Sequence, residues 1–184
     1  MIVMMLDTYE TTGDAAFAKN TLMPLAGEFA VWFHQHWPRV NGKLHFEPSQ
    51  SLETRQNATN SMPEIAGLMH VLPRLVSLPG GLTTPAQVAL WKKMLADLPP
   101  LRKGRADAEG KSPVTLDKAA PDGREILWPA EKFDKPNNVE NPELYAVHPF
   151  RVFGVGLPEL ELARRCHDRQ LLRIPADLHP AGAG

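Results

Sequence analysis

The chain has 184 residues, 43% of them hydrophobic and 22% charged, which is enough for one domain with its own core. A formal net charge of -1 gives no electrostatic basis for binding nucleic acid or an anionic membrane surface. The single cysteine, Cys166, excludes an internal disulfide and leaves the compartment open, and the apolar run at residues 1–6 is too short for a signal peptide or a membrane span.

Proline is frequent, with 18 residues, and favours short helices joined by extended loops. The spacing predicts a helix over residues 1–11 that breaks at Thr12-Gly13. Asp14 is placed to N-cap the next helix. In that helix Phe17, Leu22, Leu25, Phe29, Trp32 and Phe33 recur at intervals of three, four and five on one face, until Pro38 stops it. A short turn makes the two an antiparallel hairpin. Asn41-Gly42 is a turn signal, and the alternation of Leu44 and Phe46 predicts a strand over residues 43–47.

Residues 45–64, HFEPSQSLETRQNATNSMPE, are too rich in Pro, Ser, Asn and Thr for a regular element, so an irregular polar loop is expected. Ser61-Met62-Pro63-Glu64 reads as a capping box with proline in the first turn. The helix it opens runs through Ile65, Leu68, Met69, Leu72, Leu75 and Val76, with a kink at Pro73 and an end at Pro79-Gly80-Gly81. Thr84-Pro85-Ala86-Gln87 is a second capping box, and its helix carries Val88, Trp91, Leu95 and Leu98 as far as Pro99-Pro100. These two helices form another hairpin. Residues 101–124 are charged and glycine-rich, and read as a flexible insertion. Asp122-Gly123 predicts a turn and residues 125–128 a strand. Residues 141–157 read as a short helix that breaks at Pro149. Leu157-Pro158 opens a last helix with Leu160, Leu162, Ala163 and Cys166, and with Glu159 and Glu161 in its first turn. Residues 175–184 are expected to be a disordered tail. The expected fold class is mainly α, with stacked antiparallel helical hairpins, long loops and one or two short β-hairpins. An apolar opening and the closing HPAGAG read as an incomplete chain.

Several motifs fall away on spacing. GRADAEGKS at residues 104–112 has five residues between its glycines where a phosphate loop has four. His34 and His36 are two apart on a helix and point about 200° apart, so they share no metal. No HExxH, Cys/His cluster or GxSxG is present. No metal or organic cofactor is implied. Asn57-Ala58-Thr59 fits the glycosylation pattern, which means little without a secretory context. In contrast, residues 45–64 collect Glu47, Glu53, Glu64, Gln56, Asn57, Asn60 and Arg55. Such a density of hydrogen-bonding groups suits a sugar-binding or hydrolytic site, with a solvated connection as the plain alternative. Glu53 follows Leu52 and lies beyond Leu44 and Phe46, so partly apolar surroundings are expected to raise its pKa and fit it for general acid work. A surface glutamate is the competing reading. Glu64 is already accounted for by the third position of a capping box.

The fragments GDAAFAKNTLMPLAGEFAVWFHQHWPR, FEPSQSLET, MPEIAGLMHVLPRLVSLP and NPELYAVHPFRVFGVGLPELELARR occur in a consistent order. Together they resemble the six-hairpin glycosidases. More narrowly, they resemble a bacterial branch similar to the α-L-fucosidases of glycoside hydrolase family 95, over most of residues 7–165. The resemblance implies roughly half of an (α/α)6 toroid, a ring of helical hairpins around a sugar cleft. Residues 1–174 would be a partial catalytic-type domain, and the remainder of the toroid would be missing from this chain. The family's acid loop reads Pro-Ser-x-Ser-Pro-Glu-Asn. Here Pro48-Ser49-Gln50-Ser51-Leu52-Glu53-Thr54 keeps Pro, Ser, Ser and Glu, which puts the general acid on Glu53. An acidic residue at the start of the next helix corresponds to Glu64.

The family's base is the aspartate of a segment resembling His-Pro-Pro-Phe-Gln-Ile-Asp-Gly. In His148-Pro149-Phe150-Arg151-Val152-Phe153-Gly154 its place falls on Phe153, which accepts no proton. An inverting glycosidase needs a second carboxylate about 6.5–9.5 Å from the acid. His148 and Glu140 are the alternatives for that role. The implied activity is hydrolysis of a glycosidic bond in a carbohydrate substrate, with Glu53 protonating the leaving oxygen. Gln50, Arg55, Asn57, Glu64, His148 and Arg151 are the implied sugar contacts, and Trp128 is placed to stack on a ring. One alternative is a glycan-binding or scaffold protein that lost its base, and another is a plain helical interaction domain.

Overall fold

A computed structural model describes residues 1–105, 125–134, 137–138 and 140–171. Helix α1 (Ile2–Thr12) ends where Gly13 turns left-handed at φ 67° and donates its N–H to the Tyr9 carbonyl at 2.8 Å. Asp14 then caps α2 (Ala15–Phe17), accepting the Phe17 N–H at 2.9 Å. The interval of five between Phe17 and Leu22 has a direct structural cause. A π-helical turn (Ala18–Leu22) inserts one extra residue before α3 (Met23–His36), and Ala18 and Leu22 both become fully buried.

Strands β1 (Arg39–Val40) and β2 (Lys43–Leu44) pair antiparallel around Asn41 (φ 52°) and Gly42 (φ 76°), a turn in which both central residues are left-handed. The strand expected over 43–47 therefore stops at Leu44. The expected irregular loop contains a second hairpin, β3 (Ser49–Ser51) with β4 (Arg55–Ala58). Helix α4 (Met62–Val76) follows, then α5 (Pro85–Asp97). Thr84 and Gln87 form the predicted box on α5, with the Gln87 N–H donating to Thr84 Oγ1 at 3.2 Å and the Thr84 N–H donating to Gln87 Oε1 at 2.9 Å. Strand β5 (Lys103–Arg105) pairs with β6 (Glu125–Leu127). A 3-10 helix (Pro142–Ala146) and α6 (Leu160–Leu171) complete the described chain. The Asp122-Gly123 turn, most of the 101–124 insertion and the 175–184 tail lie outside the described residues.

The mainly-α expectation, and with it the stacked-hairpin toroid, is overturned. Among the described residues the fold is mixed, 51% helical and 12% strand, with three separate two-stranded antiparallel sheets set between the helices. The reason lies in how the apolar residues are distributed. One core is built from α1, α3, α4 and α5 around Leu6, Leu22, Phe33, Ile65, Leu72 and Trp91. A second core forms around Ile126, Leu127, Trp128, Phe153, Leu162 and Cys166, in which strand and loop residues pack with α6 and the start of α4 rather than forming a stacked helical hairpin. Helix α4 is the wall between them. Ile65, Leu68 and Leu72 face the first core, whereas Met62 and Ala66 face the second.

The second core tests the close fit of β5 against Trp128. A Cβ on Gly104 would stand 2.3–2.6 Å from the indole ring, while one on Gly80 would meet nothing within 4 Å. Gly104→Ala is expected to lower stability by about 2 kcal/mol or more, and Gly80→Ala by less than about 0.5 kcal/mol, read from urea-unfolding midpoints.

Candidate functional site

The β3–β4 hairpin is polar in both strands, so its stability has to come from bonds outside it. Residues 129–134, 137–138 and 140 supply these bonds as a strap alongside β4. The Thr59 N–H donates to the Lys132 carbonyl, and the Glu131 N–H donates back to the Thr59 carbonyl, both at 2.9 Å. Further along, the Asp134 N–H donates to the Gln56 carbonyl at 3.2 Å and the Asn137 N–H to the Thr54 carbonyl at 2.9 Å. Side chains extend this ladder. Ser51 Oγ donates to the Pro129 carbonyl at 2.6 Å, and Asn60 accepts the Phe46 N–H at 3.0 Å while donating to Glu131 at 2.8 Å.

Among the implied site residues, this pairing gathers Gln50, Glu53, Arg55 and Asn57 on one hairpin. Glu53 stands at the tip, exposed, next to Leu52 with its left-handed φ of 56°. The sheltered surroundings expected for it are not found in the described structure. Gln50 is also exposed. Arg55 is buried: its guanidinium lies 5.0 Å over the Phe133 ring and donates to the Asp134 carbonyl at 3.0 Å. Asn57, left-handed at φ 48°, donates to Asp134 Oδ2 at 2.6 Å. Arg55 and Asn57 therefore hold the hairpin to the strap.

The remaining implied residues lie elsewhere. Trp128 is buried in the second core against Gly104 and presents no face to a sugar. Phe153 is likewise a core residue, which explains an apolar side chain at that position. Arg151 is exposed and pairs with Asp7 at 3.4 Å. His148 lines a groove of about 460 Å³ with Tyr145, Leu160, Ala163 and Arg164.

Glu64 has a third environment. Ser61 starts α4 but makes no side-chain cap bond, so the predicted box on this helix does not form. The carboxyl instead faces a cleft of about 160 Å³ lined by Phe29, Phe33, Leu68, Val71 and Phe150. Its Oε2 atom is buried with no hydrogen-bond partner among the described residues. Burial pushes this carboxyl up to about 7, offset in part by a hydrogen bond from the Glu64 backbone N–H.

Sequence reasoning missed the strap. Thr54 Oγ1 reaches Asn138 Oδ1 at 2.5 Å and Glu140 Oε2 at 3.2 Å, and Asn138 Nδ2 donates to the same Glu140 oxygen at 3.3 Å. The polar run DKPNNVEN at residues 134–141 was the available signal, since its composition repeats that of residues 45–64. Among the described residues no His, Cys, Asp and Glu group could hold a metal ion, and no helix is long and apolar enough to cross a membrane. No protein-family model and no curated protein matches the chain.

The raised Glu64 carboxyl makes a directional statement about stability. Folding favours its protonated form, so its contribution is fully present below the unfolded value of 4.5 and is lost as pH rises through about 7. Glu64→Gln is expected to remove a decline of up to about 3 kcal/mol between about pH 5 and pH 8. Urea midpoints of the two proteins measured across that range should diverge upward in pH, with the variant the more stable at the alkaline end.

Proposed function

We propose that the protein is carbohydrate-active and hydrolyses a glycosidic bond at the exposed face shared by the β3–β4 hairpin and the strap. Glu53 is the general acid and Glu140 the base. The observation that carries this reading is the Glu140 contact with Thr54, the residue that follows Glu53. It brings a second carboxylate to the acid loop at the point where Phe153 cannot serve. The resemblance of residues 48–54 to the acid loop of the family 95 fucosidases supports the role given to Glu53.

In this mechanism Glu53 donates its proton to the leaving glycosidic oxygen. Glu140 takes a proton from water, which attacks the anomeric carbon from the opposite side, and the acid recovers its proton from solvent. Gln50, Gln56, Asn137 and Asn138 are exposed around this face and offer amide donors and acceptors to sugar hydroxyls. Thr54 holds Asn138 and Glu140 in place beside the hairpin tip.

The exposure of Glu53 favours a second reading, in which the face binds a glycan without turning it over. A carboxyl that works as an acid near neutrality is normally sheltered, and Glu53 is not. Initial rates on a panel of aryl glycosides, set beside glycan-array binding, separate the two. Under the hydrolytic reading, Glu53→Gln and Glu140→Gln each lower kcat/KM by about 10²–10⁴-fold. Hydrolysis left intact by both substitutions overturns the assignment, and glycan binding without turnover in the unmodified protein establishes the second reading.

A further inference from the structure

The Glu64 cleft is separate from the hairpin face, since its lining contains none of Gln50, Glu53, Asn57 or Glu140. Its construction follows from helix geometry. Glu64, Gly67, Leu68 and Val71 are spaced at i, i+3, i+4 and i+7 and share one face of α4. Phe150 can close over that face because position 67 is glycine: a Cβ there would meet the Phe150 ring at 3.2 Å. From α3, Phe29 and Phe33 approach as a tilted pair with centroids 4.7 Å apart. Residues 1–3 complete the wall. Three aromatic rings and several aliphatic side chains thus line a half-open cleft in which Glu64 is the single ionisable side chain among the described lining residues.

Glu64 lines this cleft and its buried Oε2 has no hydrogen-bond partner among the described residues, so the complement of its carboxyl is specific. Aromatic faces carry negative charge and attract cations, most strongly where water is excluded. A carboxylate adds a charge-assisted hydrogen bond to any N–H cation beside it. The position of Glu64 in the first turn of α4 also favours the ionised carboxylate through the helix dipole. A volume of about 160 Å³ is small beside ordinary drug-sized sites and admits only a compact guest. We propose that this cleft is a binding site for a small primary alkylammonium, with the ammonium on Glu64 and the alkyl part among Phe29, Phe33 and Phe150.

The charged groups on the surrounding elements leave this role to Glu64. On α1 and α4, Asp7 and Glu10 pair with Arg74 at 2.7 and 2.8 Å, and Arg74 also contacts His70. Arg151, next to Phe150, pairs with Asp7. Glu28 on α3 is exposed, and the Met1 α-amino group belongs to an exposed residue at the rim. None of these acts on the Glu64 carboxyl, whose shift arises from burial and its own backbone N–H.

Binding of the cation requires the ionised carboxylate, so affinity is coupled to its titration near pH 7. The test is titration of the full chain with butylammonium, followed by calorimetry and by NMR shifts of the Phe29, Phe33 and Phe150 rings, with neutral butyramide as the comparison. The expected result is saturable binding that is roughly tenfold tighter at about pH 8 than at about pH 6, and at least about tenfold tighter than butyramide. Glu64→Gln, checked for an unchanged circular dichroism spectrum, should lose butylammonium binding and its pH dependence. Equal affinity for butyramide, undiminished binding by the Glu64→Gln variant, or no saturation of the unmodified protein by about 10 mM overturns the proposal.

Discussion

The structure depends on a requirement of the backbone. Residues 46–61 run partly through the interior, and buried peptide groups must find hydrogen-bond partners. The hairpin satisfies only some of them, and the strap satisfies others through a ladder from Thr54 to Thr59. The same strap reaches the start of α4, where the Pro129 carbonyl accepts the Met62 N–H at 2.8 Å. This closes the donor account of that helix end. Met62 is paired with the strap, Pro63 has no N–H, the Glu64 N–H is taken by its own carboxyl, and the Ile65 N–H reaches the Ser61 carbonyl at 3.3 Å. The Ser61 hydroxyl is left redundant as a cap, and Glu64 is not drawn back toward the Ser61 backbone. One set of long-range bonds therefore fixes the hairpin tip and places Glu140 beside the residue that follows Glu53.

Helix α4 then separates two kinds of interior. Toward α1, α3 and α5 it packs as an ordinary amphipathic helix, while its first turns meet β6 and the loop that carries Phe153. Arg74 near its C-terminal end ties Asp7 and Glu10 of α1 to the same helix. These ion pairs are partly exposed and contribute modestly. The stronger constraint is the apolar packing of Leu68 and Leu72, which fixes the rotation of α4 and so decides which way Glu64 points.

What could be read from the sequence was whatever is decided locally. The Asn41-Gly42 turn, the Asp14 cap, the Thr84 box and the Gly13 stop need only neighbouring residues, and all four take the expected form. The interval of five before Leu22 was legible as a pattern, though not as the π-helical turn that produces it. The β3–β4 hairpin was illegible because Ser-Gln-Ser and Arg-Gln-Asn-Ala show no apolar alternation. Beside Ala58, its buried positions are the polar Ser49, Ser51 and Arg55, and Ser51 and Arg55 are satisfied by hydrogen bonds to residues that no local window contains. The Ser61 box does not form either, because the Glu64 N–H it would have used is taken by the Glu64 carboxyl itself. Trp128 looked like a sugar platform by residue type, but Gly104 opens the space that buries it. In the site, the sequence marked the hairpin segment and Glu64 as rich in chemistry, while the strap that joins Glu140 to the hairpin came only with the fold.

Glu53 and Glu64 are the same side chain in opposed settings, and the contrast bears on how hydrolysis would work. Glu64 has shelter supplied by the protein, yet no second carboxylate lines its cleft among the described residues. Glu53 has Glu140 close to the next residue, yet stands in water. Under the hydrolytic proposal, desolvation at the hairpin face would have to come from the substrate. A glycan laid across the tip would exclude water from both carboxylates and strengthen the interactions that assign their proton. Such a site is prepared in position rather than in dielectric. The left-handed Leu52, the Thr54 contacts and the Arg55 clamp hold the backbone on either side of Glu53 before anything binds. Positional preparation supplies orientation without sheltering the acid in the free protein, so the proton-holding environment would form only as the sugar arrives.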